Sequence, residues 1–193
     1  MSRFAAGWLS VALLVSVAAA APASADSSAF DPARLADGGH VVMYRHALAP
    51  GTGDPSDFAL GDCGTQRNLN EAGRTQARAI GDALRRAGVR HARVLTSRWC
   101  RARDTARLLG FGEPEELPAL DSFFQRSGLR EASTEAVRSF VAGLPGDGPL
   151  VILVTHQVNI TALTGVFPAS GEGVVLEGPG GRPVGVVGRL PAP

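Results

Sequence analysis

The chain has no lysine; all 19 of its basic residues are arginine. That bias can reflect genome composition alone, so a single arginine carries little weight until a pattern singles it out. There is no basic block or stripe, and 18 acidic residues offset the arginines, which removes the electrostatic footprint of a nucleic-acid-binding protein. Only two cysteines are present, Cys63 and Cys100, so one intramolecular bridge is the most the chain can form. The four histidines, His40, His46, His91 and His156, show no His-x-x-x-His spacing, so no metal site is expected. No internal repeat and no linker divides the chain.

What the sequence does have begins with a leader. The stretch "MSRFAAGWLSVALLVSVAAAAPASADSS" carries a short basic start at Arg3, an apolar run over 8–21 and the small-residue pattern Ala23-Ser24-Ala25. That is the layout of a secretory signal peptide over residues 1–25, with cleavage after Ala25. The apolar run is barely long enough to span a bilayer and a cleavage site follows it directly, so no stable membrane anchor is expected after cleavage. No cysteine stands at the cleavage site to suggest a lipoprotein. The expected location is therefore periplasmic or secreted, with residues 26–193 forming one formally neutral domain. In an oxidising compartment a Cys63–Cys100 disulfide can persist; two unpaired buried thiols are the alternative.

Asp31-Pro32 reads as an N-cap and N1 pair opening a short helix that ends near Gly38-Gly39. A strand over 40–44 runs into Arg45-His46, then into a loop over 47–67 rich in glycine and proline and long enough to be functional. The clearest helix spans 68–88, where Leu69, Ala72, Ala77, Ile80, Leu84 and Ala87 make one apolar stripe. "RVLTS" is a short strand leading into a helix marked by Trp99, Ala102, Ala106 and Leu109 and closed by Gly110. A less regular segment follows, then a helix capped by Ser133 and running to about Gly143. "PLVILVTH" has the continuous β-branched character of a central parallel strand and feeds a helix from Gln157 to Gly165. The tail, "GVVLEG" and "RPVGVVGRL", reads as two edge or antiparallel strands. The alternation predicts a three-layer α/β/α sandwich around a mainly parallel sheet.

Three of the strands end in chemistry. The first ends at Arg45-His46, the second leads through Thr96-Ser97 to Arg101, and the third ends at His156. In a parallel sheet these ends share one edge, where open α/β sheets bind ligands. Guanidinium forks match phosphate oxygens, and helix N-termini after the strands add N–H donors, so a phosphoryl group is the natural ligand.

These residues resemble the histidine phosphatase superfamily, the group that includes phosphoglycerate mutase and the histidine acid phosphatases. "YRHA" stands where that family has its Arg-His-Gly signature, and "RNLNEAGRTQA" is similar to its first long helix. "TSRWCRARDTA" resembles its Thr-Ser-x-x-x-Arg-Ala-x-x-Thr-Ala pattern, and "VTHQVNI" its second catalytic histidine strand. The resemblance implies a phosphoglycerate mutase-like fold, a small phosphorylated substrate and no cofactor. It implies that His46 is the nucleophile that becomes phosphorylated, with Arg45, Arg101 and His156 holding the phosphoryl oxygens. Arg67 is a further phosphate-binding candidate, although it also begins the long helix beside Asn68.

Two departures stand out. Ala47 replaces the usual glycine, and Gln157 follows His156, so no His-Asp pair supplies the proton for the leaving oxygen. Asp121, in "LPALDSFF", is the first candidate donor and Glu172, in "ASGEGVV", the second. Arg98, Arg103 and Arg107 read as a solvated face balanced by Asp104; His40 and His91 read as ordinary histidines. Asn159-Ile160-Thr161 fits a glycosylation pattern by chance, at a poor place for a glycan. The expectation is an exported, metal-independent phosphomonoesterase, with envelope sugar phosphates as one conceivable substrate class. The alternative is a phosphate-binding protein of the same fold that has lost turnover.

Overall fold

A computed structural model describes residue 1 and residues 30–193; the leader and its cleavage site lie outside the described residues. Among the described residues six strands form one sheet: β1 (Val41–Arg45), β2 (Ala92–Thr96), β3 (Glu115–Glu116), β4 (Leu150–Thr155), β5 (Gly173–Glu177) and β6 (Gly185–Leu190). Their spatial order is β3-β2-β4-β1-β5-β6. The pairs β1·β4, β2·β4 and β2·β3 are parallel, whereas β5 runs antiparallel to both β1 and β6. Within the same residues four helices cover the sheet: α1 (Glu71–Arg86), α2 (Cys100–Leu108), α3 (Arg130–Ala142) and α4 (Gln157–Thr164).

The central strand explains the layering. Every residue of β4 is buried, because strand neighbours flank it and helices cover both faces. Its side chains alternate. Leu150, Ile152 and Val154 join Ile80, Leu84, Ala102 and Ala106 of α1 and α2. Val151 and Leu153 join Val137, Val141 and Ile160 of α3 and α4. Burying apolar side chains at about 25 cal/mol per Å² on both faces makes this strand the anchor of the domain. Among the described residues, no helix is long and apolar enough to cross a membrane.

The first short helix is a 3₁₀ helix, Pro32–Asp37, with Asp31 accepting from Ala33 N as its expected cap and Gly38 closing it. Other local expectations need correction. Ser133 does not cap α3: the helix begins at Arg130 after Leu129, which makes no side-chain cap bond. The two tail strands are antiparallel as read, with β6 at the edge and β5 flanked by β1 and β6. The pair Glu115–Glu116 inside the irregular segment supplies the opposite edge. On α1 the stripe includes two glycines in place of the exposed Ala72. A Cβ on Gly73 would stand 2.0 Å from Leu48 O, and one on Gly81 would stand 2.1 Å from Leu109 O. Those contacts let α1 press against the loop after β1 and against the end of α2.

Candidate active site

Register brings the chemistry to one edge. Arg45 pairs with Thr155, and Thr96 with Val154, so the next residues, His46, His156 and Ser97, emerge side by side. The ladder continues one residue past the strands, with His46 N donating to Thr155 O at 2.9 Å and Ser97 N to Val154 O at 3.0 Å. Arg101 sits in the first turn of α2. Thr105 Oγ1 donates to Arg101 O at 2.7 Å and accepts from Ala47 N at 3.0 Å, tying that turn to the residue after His46. A disulfide, Cys63–Cys100, staples the 47–67 loop to the start of the same helix.

Together these elements surround a hollow of about 100 Å³. Arg45, His46, Asp54, Arg67, Arg101 and His156 supply its charged and imidazole groups, and Phe124 and Gln157 stand among the residues at its wall. Three guanidinium groups face one carboxylate there, an excess of positive charge on a wall of neutral rings. His46 Nδ1 lies 2.7 Å from Ala47 O. A carbonyl only accepts, so Nδ1 carries the proton and Nε2 carries the lone pair. Arg101 Nε donates to that Nε2 at 3.2 Å. The His46 and His156 ring centroids are 5.4 Å apart, steeply inclined to each other. His156 Nε2 lies 2.8 Å from Ser97 Oγ.

Burial lowers the pKa of His46 to about 3, helped by the Arg101 charge and by Arg67 and Arg45, against the opposing bond to Ala47 O. Burial likewise holds His156 well below the ordinary histidine value, with Arg101 next in importance. Both rings are therefore neutral near neutral pH. Arg67 is lowered to about 10, by burial first and by Arg101 second. Arg45 donates from Nη1 to Pro168 O at 3.0 Å, while its Nε is buried with no partner among the described residues. An orphaned cationic donor beside the hollow costs free energy until an anion meets it.

The structure thus gathers Arg45, His46, Arg67, Arg101 and His156 around one hollow. It does not bring either proposed proton donor into the lining. Asp121 receives Arg98 Nε and Nη2 at 2.8 and 2.6 Å and Ser97 Oγ at 3.3 Å. It reaches His156 only through Ser97. Glu172 is held by Arg189 and by Ala169 N. The arginines before and within α2 are also partnered differently from the expectation: Arg98 with Asp121, Arg103 with Glu116 and Arg107 with Glu113, whereas Asp104 pairs with Arg74.

The carboxylate that does line the hollow is Asp54. It takes Arg101 Nη1 at 2.6 Å and Nη2 at 3.1 Å, the Trp99 indole N–H at 3.0 Å and Arg67 N at 3.2 Å. Burial raises its pKa, but the Arg101 guanidinium, with Trp99 and Arg67 N, outweighs burial and holds it below the ordinary carboxylate value. Sequence reading missed it because "GTGDPSDF" has no periodicity to fix a side chain's direction. The signal was only an acid inside a loop long enough to be functional.

Fold and site together define a phosphoglycerate mutase-like α/β protein whose strand ends converge on a cationic, histidine-lined hollow. A model of the histidine phosphatase superfamily (branch 1) matches residues 42–134, a little under half of the chain. No curated protein sequence matches the chain. Among solved structures it is similar to TTHB049 from Thermus thermophilus, at 22% identity and TM-score 0.55, over 79% of this chain and 99% of that one. It is similar to the protein histidine phosphatase SixA complexed with tungstate, at 20% identity and TM-score 0.54, over 79% and 97%. It is also similar to mycobacterial glucosyl-3-phosphoglycerate phosphatase with inorganic phosphate, at 20% and 0.56, over 80% and 97%. At these identities the likeness is one of fold.

Proposed function

We propose that the chain is an exported, metal-independent phosphomonoesterase that works through a phosphohistidine intermediate on His46. The observation that carries the reading is a neutral imidazole, its Nε2 lone pair facing Arg101, in a hollow where three guanidiniums meet one carboxylate. Phosphoryl transfer asks chiefly for positioning and for positive charge around the equatorial oxygens. Arg45 and Arg101 supply that charge in forked geometry. Arg67 adds charge while its Nε, bonded to Gly53 O at 2.8 Å, holds the loop. His46 Nε2 forms the N–P bond as the ester P–O bond breaks; water then attacks phosphorus and the N–P bond breaks. A phosphoryl dianion entering beside His156 is met by a hydrogen bond from that neutral ring rather than by transfer of its proton.

The hollow suits a phosphoryl group and little more, so the leaving group would lie outside it, against Phe124, whose ring is exposed. Phosphatases of similar fold make a small phosphorylated substrate the first class to try, and an exported location favours sugar phosphates of the cell envelope within it.

Hydrolysis of 4-nitrophenyl phosphate in the presence of a chelator tests the reading. The expected result is turnover that His46→Ala lowers by about 10³-fold or more; undiminished turnover in that variant refutes the mechanism. Export is tested separately: protein recovered from the periplasm or medium should begin at Asp26. Asp54 already occupies the Arg101 fork, an arrangement that also suits a protein that binds phosphate without turnover. Tight phosphate binding with no hydrolysis would favour that second reading.

A further inference from the structure

Resting on the phosphomonoesterase reading above, we infer that Asp54 is both the internal stand-in for substrate in the Arg101 fork and the acid that protonates the leaving oxygen. Three observations converge on it. Among the described residues it is the one carboxylate in the lining of the hollow. Its side chain is 4% exposed, against 3% for Arg101, so the pair is sealed from solvent competition. And it lies one guanidinium away from the nucleophile, because the arginine that grips it with Nη1 and Nη2 also touches His46 Nε2 with Nε. A single fork cannot serve two anions equally well. A phosphoryl group bound by Arg101 therefore displaces the carboxylate while keeping it beside the site, tethered by the Trp99 indole and the Arg67 amide.

The groups facing Asp54 set its proton affinity. In the free protein these are the Arg101 fork and Trp99 indole from α2, the Arg67 amide within the loop, and the Arg45 and Arg67 charges across the hollow. Once Arg101 turns to the phosphoryl oxygens, Asp54 loses its strongest partner and gains a neighbouring anion, and both changes raise its proton affinity. The substrate brings the proton. A phosphate monoester has a second pKa of about 6, so the monoanion ROPO₃H⁻ can hand its proton to the displaced carboxylate. In the first step His46 Nε2 bonds to phosphorus, the P–O bond breaks, and the Asp54 carboxylic acid gives its proton to the leaving oxygen, releasing ROH. In the second, water attacks phosphorus, Asp54 takes a proton from it, and the N–P bond breaks to restore neutral His46 and release HPO₄²⁻. Protons and charge balance over the two steps.

Leaving-group dependence separates this role from a merely structural clamp on Arg101. Protonation matters for an alkoxide and hardly for 4-nitrophenolate. Asp54→Asn should therefore lower the single-turnover rate of His46 phosphorylation by a simple alkyl phosphate by about 10²–10³-fold while changing the rate of phosphorylation by 4-nitrophenyl phosphate by less than about threefold. It should also bind inorganic phosphate about tenfold more tightly, because no carboxylate competes for the fork. Equal losses on both esters, or weaker phosphate binding, would show that Asp54 only positions Arg101 and would overturn the inference. Should Asp54→Asn not fold, the wild-type protein still decides: kcat across esters of graded leaving-group pKa should be nearly flat, and a steep decline toward poor leaving groups overturns it. Failure of the phosphohistidine reading looks different, since it appears as full activity in His46→Ala.

Discussion

Two arginine–carboxylate pairs flank the paired histidines, one on each side. On the 47–67 side Asp54 grips Arg101, with the two side chains only 4% and 3% exposed; on the 113–130 side Asp121 grips Arg98, with 14% and 40% exposure. In each, two guanidinium nitrogens donate to the carboxylate, to both oxygens of Asp54 but to one oxygen of Asp121, and both carboxylates touch a group that touches a histidine. The inner pair shares a hollow with His46, the proposed nucleophile, and on that reading its guanidinium has somewhere better to go when an anion arrives. The outer pair fixes Ser97, and through it the His156 ring, and none of its atoms lines the hollow. The same two residue types thus form a displaceable lock in one place and a scaffold in the other, and burial beside a cationic hollow makes the difference. Breaking a sealed pair from one side costs about 3–5 kcal/mol, whereas a part-exposed one is worth about 0–1 kcal/mol.

The contrast is broken most directly by the two arginines. Arg101→Ala should lower kcat/KM by about 10³-fold or more, and Arg98→Ala by no more than about tenfold; equal losses in steady-state assays would erase the distinction. The disulfide sharpens the comparison, because only the inner side is stapled. Replacing both Cys63 and Cys100 with serine removes a cross-link spanning 37 residues, an expected loss of about 3–4 kcal/mol in denaturant unfolding. Phosphate binding should weaken in that variant as well, since the loop carrying Asp54 and Arg67 loses its anchor to α2.

Acid sensitivity comes next. His46 and His156 have folded pKa values below their unfolded ones, so the unfolded chain binds more protons as pH falls below about 6.5. Stability is fully present above that pH and is lost on the way down toward about 3, where His46 itself titrates in the fold. Asp54, also lowered, adds a loss of the same sign below the ordinary carboxylate range. Thermal unfolding followed across this window should fall more steeply in wild type than in His156→Gln. The smallest effect belongs to Asp121→Asn: a few-fold lower kcat, alike for aryl and alkyl phosphates, because Asp121 acts through Ser97 and never meets the leaving group.

How far the sequence carried these features depended on what held each residue. His46, His156 and Arg101 were legible because strands and a helix start fix their positions, and parallel register then sends them to one edge. The apolar continuity of Leu150–Thr155 announced a central strand for the same reason. β3 was missed because two exposed glutamates, with no apolar side chain between them, form the whole strand. Gly73 and Gly81 were missed because a glycine's contribution is the approach of another backbone, which leaves no hydrophobic signature. Asp121 sat at an expected place in the chain, but Arg98, one residue past the end of the Thr96-Ser97 strand edge, takes its carboxylate. Asp54 lay in a loop whose path no periodicity encodes.

The most direct measurement is of the covalent intermediate. Protein mixed with a phosphate ester, quenched within milliseconds in base and digested should yield a peptide carrying one phosphoryl group on His46, acid-labile and absent from His46→Ala. A productive enzyme that accumulates no such peptide, even with an aryl phosphate whose first step is fast, would contradict the account.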